Sequence, residues 1–89
     1  MLTLQECLDF CGLDEEEIRA IAEHEHVPEI VAAELGACLL KSEAGVCQIR
    51  QFMLEDIEQA ESLGLFLKAH HLHQVLTRFE QRYPTARAG

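Results

Sequence analysis

The chain has 89 residues, 48% of them hydrophobic, and a formal net charge of −9 at pH 7. That apolar content suffices for one small core and is too high for a disordered chain. The acidic balance argues against nucleic acid and anionic membrane surfaces as partners, since both select basic patches.

The charge is unevenly spread. Acids dominate residues 6–34, where Arg19 is the only base, whereas Arg78, Arg82 and Arg87 lie near the C-terminus. Such asymmetry either joins helices or subunits, or leaves a solvated acidic face. No apolar run approaches a membrane span, and Met1-Leu2-Thr3 lacks the basic start of a signal peptide. We expect a cytoplasmic protein with neither nucleic acid nor membrane as a partner. Cys7, Cys11, Cys38 and Cys47 form no CxxC pair, so free thiols are expected, with Cys7, Cys11 and Cys38 buried.

Taken in order, Thr3-x-x-Glu6 is a capping box that opens a short helix. Leu4, Cys7, Leu8 and Cys11 form one face of that helix, and Gly12 is its left-handed cap. Asp14-x-x-Glu17 repeats the box, with Leu13 and Ile18 as a hydrophobic staple. Helical spacing gathers Leu13, Ala20, Ile21 and Val27 on one side, with Glu17 and His24 among them, and turns Glu23 and His26 away. Pro28 either kinks one helix or begins a second, in which it would be the first residue. Residues 29–41 are apolar nearly all round, through Ile30, Val31, Leu35, Cys38 and Leu39, with small residues between. This pattern predicts the central, most buried helix.

Ser42 caps the next helix after a tight turn, and Val46, Ile49, Met53, Ile57 and Ala60 form its inward stripe. Cys47 and Leu54 stand on its opposite side. Ser62 reads as a further cap, and Gly64 breaks the chain. Leu65, Ala69, Leu72, Leu76, Phe79 and Tyr83 then follow at spacings of four and three, and Pro84 ends the helix. With no strand signal, the expectation is an all-α compact bundle of four to five helices. It forms one domain over 1–84, followed by a frayed tail over 85–89.

Patterns for enzymatic chemistry are lacking: there is no Gly-rich phosphate loop, GxSxG or HExxH. The constellation to weigh is carboxylate plus imidazole. Glu23-x-x-His26 has the spacing of half a ferritin-like di-iron motif. Glu17, His24 and Glu34, with His73 from the last helix, are better placed for the interior. Together these six residues are the candidate ligands for iron, zinc or manganese. The plainer reading makes Glu17 a capping residue and His24 a hydrogen-bonded structural histidine. We therefore expect a non-enzymatic interaction or assembly protein without a cofactor, with a metal-binding bundle as the alternative. The Cys47 and Leu54 side is the expected homo-oligomer face, or else the seat of another protein partner.

Two stretches resemble known proteins. Gly64-x-Phe66-x-x-Ala69 resembles the turn and second-helix opening of a tetratricopeptide repeat, which implies helix-hairpin packing. The block AIAEHEHVPEIVAAELG, over 20–36, resembles small bacterial helical proteins of unknown function, which implies no activity to carry over.

Overall fold

A computed structural model describes residues 12–84. Four helices occur among them: α1 (Glu15–Glu25), α2 (Glu29–Leu39), α3 (Glu43–Ser62) and α4 (Phe66–Arg82). The described residues hold no strand, and the chain is an all-α bundle. The expected first helix, with the Thr3–Glu6 box and Cys7 and Cys11, lies outside the described residues. Gly12 does take the left-handed conformation, at φ 80°.

Helix α1 starts where its capping box predicts. The Glu17 N–H donates to Asp14 Oδ1 at 2.8 Å, and the Asp14 N–H donates to Glu17 Oε1 at 2.9 Å. The staple residues Leu13 and Ile18 are both buried. The helix ends at His26, which turns left-handed at φ 56°, and the Val27 N–H reaches back to the Ala22 carbonyl at 3.1 Å. This is a Schellman-type closure. Of the two possibilities at Pro28, separate helices are observed. The proline itself is the cap of α2, with an extended ψ of 153°, and not its first helical residue.

The predicted burial of α2 is not what the fold shows. Only Ala32, Ala33 and Gly36 are buried, while Val31, Glu34 and Cys38 are exposed. The small residues form a seam that lets α2 lie closely against α1, leaving the large apolar side chains at its edges. Gly36 marks that seam: a side chain there would run into Leu13. The central element is α3, which packs on all three other helices. Its predicted stripe is buried in full, joined by Phe52 and Asp56. Cys47 and Leu54 are both partly buried, Leu54 packing against the core.

Ser42 caps α3 as predicted, accepting the Gly45 N–H at 3.0 Å. Ser62 is instead the last residue of α3, its hydroxyl donating to the Gln59 carbonyl at 2.8 Å. In α4, Ala69, Leu72, Leu76 and Phe79 are buried together with Val75, whereas Leu65 stands outside the helix as its exposed cap. The two ends of the described chain are clasped together. Arg82 Nη2 and the Tyr83 hydroxyl both donate to the Gly12 carbonyl, at 2.8 and 2.6 Å. Arg78 pairs with Glu16 at 2.9 Å, so the charge asymmetry joins α1 to α4. None of the described helices is long and apolar enough to cross a membrane.

Candidate functional site

The six candidate ligands do not converge. Glu17 is fully buried and already satisfied, since Arg82 donates to its two oxygens at 2.8 and 3.0 Å. Glu34 on α2 and His73 on α4 are exposed. His24 stacks on Phe52, ring centroids 4.3 Å apart, and meets Glu25 and Glu55 at 2.9 and 2.6 Å. Partial burial disfavours its charged form, but the two carboxylates outweigh that and raise its pKa. His24 is thus a hydrogen-bonded structural histidine. Among the described residues, no three His, Cys, Asp or Glu side chains gather as a metal ion requires.

Glu23 and His26 do come together, at a cleft of about 190 Å³ on the α3–α4 end of the bundle. Glu23 lies in the last turn of α1, and His26 joins the lining from the left-handed turn that follows. Asp56, Gln59 and Ala60 of α3, Leu63 and Leu65 of the turn that follows, and Lys68 of α4 line the rest of it. Lys68 Nζ pairs with Glu23 at 3.3 Å, both side chains about half exposed.

Asp56 is the residue that sequence reasoning passed over. It is only 8% exposed, and its Oδ2 has no hydrogen-bond partner among the described residues. The one other buried oxygen in that state among them, Glu29 Oε1, has Arg19 Nε 3.9 Å away. Burial pushes the Asp56 carboxyl up to about 6, with His24 and Lys68 pulling it down and Glu23 and Glu55 pushing it up. Its spacing from Met53 and Ala60 was a usable signal, because an acid at those intervals borders the buried stripe.

A larger surface depression of about 500 Å³ runs along α4 past His71, His73, Thr77 and Arg78. Its charges are mutually satisfied: Glu16 bonds both Arg78 and His71, and Arg78 holds the Glu16 carboxyl below its ordinary value. The Asp56 cleft differs in having charge left over. Beside it, the turn between α3 and α4 exposes Leu63 (65%) and Leu65 (46%), and the start of α4 exposes Phe66 (68%) and Leu67 (89%). Gly64 turns the chain among them, at φ 75°. A solvated turn and helix start are normally polar, so four large apolar residues there form an exposed patch.

An orphaned buried carboxylate weakens the fold that contains it. Folding raises the Asp56 pKa from about 3.8 to about 6, so the penalty is absent below the lower value and complete above the upper one. Asp56→Asn is therefore expected to stabilise the protein by about 1–3 kcal/mol at neutral pH, with the gain vanishing near pH 4. Urea denaturation at the two pH values measures this. A pH-independent gain, or a loss at neutral pH, would show that the carboxylate has a partner.

Comparison with protein families, with curated proteins and with solved structures gave no match for this chain.

Proposed function

We propose that the chain is a non-enzymatic interaction protein that docks a protein partner at the tip of the α3–α4 hairpin. The observation that carries this reading is the exposure of Leu63, Leu65, Phe66 and Leu67 within one short stretch, the one other exposed large apolar side chain among the described residues being Val31 on α2. Contiguous apolar side chains held in water mark surfaces that another molecule covers. The acidity around them defines that molecule. Glu23 and Asp56 border the same patch, and the whole chain carries −9, so the partner presents a basic and apolar segment rather than a second copy of this acidic chain. We prefer the tip to the Cys47 and Leu54 side as the surface for such contact, because Cys47 and Leu54 are partly buried whereas the four tip residues are exposed.

A photo-crosslinking residue in place of Leu67, compared with one in place of exposed Gln48 on α3, tests the tip in cells. The expected result is a discrete adduct from position 67 that position 48 does not give and that Phe66→Asp abolishes. Equal labelling from both positions would refute the docking surface. An adduct of twice the chain mass would overturn the basic partner in favour of self-association.

A further inference from the structure

The cleft beside the tip is built for something more specific than apolar contact. We infer that it receives an arginine side chain of the docked segment, with the guanidinium between Asp56 and Glu23 and the stem along Leu63 and Leu65. This rests on the tip as a docking surface and names the anchor that would fix its partner.

Three features of the cleft converge on a guanidinium. Asp56 lines the cleft, and its Oδ2 has no hydrogen-bond partner and no ion pair among the described residues. That oxygen is closed to solvent, so an entering donor reaches it when the carboxylate turns into the cleft, and gains a bond without breaking one. Glu23 faces the same space, and a planar fork of N–H groups can serve two carboxylates at once, which a single ammonium does less well. The Ala60, Leu63 and Leu65 walls suit the methylene stem that carries such a head. The amide of Gln59 supplies a further acceptor on the same wall.

The cleft already contains a stand-in for its ligand. Lys68 reaches Glu23 from the side, at 3.3 Å, yet makes no ion pair with Asp56. That pair is half exposed on both sides and correspondingly weak, so an incoming cation can displace it. Lys68 acts as an internal competitor that keeps Glu23 occupied while the partner is absent. A bound metal ion is a poorer fit, since Asp56, Glu23 and His26 do not gather as a ligand set.

The test is an amide NMR titration of the whole chain at neutral pH with a capped Leu-Arg-Leu tripeptide. The control is the same tripeptide with citrulline, which keeps the shape of arginine and removes its charge. We expect millimolar binding, with shifts centred on Asp56, Gln59, Leu63 and Leu65. Citrulline and Asp56→Asn should each weaken it by about tenfold, and Lys68→Ala should tighten it by about threefold. Asp56→Asn is expected to fold, and far-UV circular dichroism verifies that it does. Equal binding of the citrulline peptide, undiminished binding by Asp56→Asn, or no shifts over residues 56–68 at about 20 mM peptide each overturns the arginine anchor. If that happens while the Leu67 crosslink persists, docking at the tip stands and the anchor alone is wrong. Loss of the crosslink with charge-dependent peptide binding intact would instead remove the docking reading and leave the cleft.

Discussion

Replacing Arg82 with alanine is expected to destabilise the fold by about 3–5 kcal/mol at neutral pH. Glu17 is fully buried, and its nearby donors are the Asp14 N–H and the two Arg82 nitrogens. Removing the guanidinium leaves a carboxylate inside the protein with its charge uncompensated. Arg82 also donates to the Gly12 carbonyl, so the clasp between the end of α4 and the entry to α1 loosens as well. Burial already raises the Glu17 pKa against the pull of Arg82 and the Asp14 N–H. A raised carboxylate favours folding below its ordinary pKa of about 4.5, and that advantage is lost as pH rises through the higher folded value. Without Arg82 the folded value rises further. The deficit of Arg82→Ala should thus be largest at neutral pH and shrink toward pH 4.5. Adding Glu17→Gln should recover about 2 kcal/mol of it, since glutamine needs no counter-charge. Urea denaturation of the two single variants and the double variant closes the cycle. A deficit below about 1 kcal/mol, the same at both pH values, would mean the pair behaves as a solvated surface bridge.

That pair also shows where sequence reasoning reaches and where it stops. The Asp14–Glu17 capping box, the Ser42 cap and the stripe from Val46 to Ala60 were all legible, because each depends on residues within a turn or two of one another. The inward placement of Glu17 was legible for the same reason. Its partner was not, because Arg82 lies 65 positions away and the rotation of α4 against α1 is set by packing. Helix α2 misled for a related reason. An apolar surface all round says that neighbours are wanted and does not say which side they take. The small residues Ala32, Ala33 and Gly36 decided that, by permitting the closest approach to α1. At the candidate site, the i, i+3 spacing of Glu23 and His26 implied one helical face, whereas His26 stands in the left-handed turn after α1 and lines the same cleft as Glu23 and Asp56. The apolar run about Gly64 was legible as a helix break. Its exposure depended on α4 beginning at Phe66 without a side-chain cap, which leaves Leu65 outside the stripe it was assigned to.

Gly45→Ala is expected to destabilise the protein by about 2–3 kcal/mol, although alanine normally favours a helix over glycine by about 1 kcal/mol. Gly45 sits in the first turn of α3, where the chain leaving α2 passes directly over it. A Cβ at this position would overlap the carbonyl group of Leu39. That carbonyl cannot easily move, because it accepts the Ser42 N–H at 3.3 Å within the turn. Gly45 cannot easily move either, because its own N–H donates to the Ser42 hydroxyl at 3.0 Å. Relief of the clash therefore breaks the cap of α3, worth about 1 kcal/mol, or pushes α2 away from its seam. Gly64→Ala separates this effect from ordinary glycine loss. Gly64 has a left-handed φ of 75° and open space around it, so its substitution carries backbone strain alone, about 1 kcal/mol. Thermal and urea denaturation of the two variants should rank Gly45→Ala as the more damaging. Equal or greater stability of Gly45→Ala relative to the parent chain would mean that α2 and α3 do not approach each other so closely at the Leu39–Gly45 crossing.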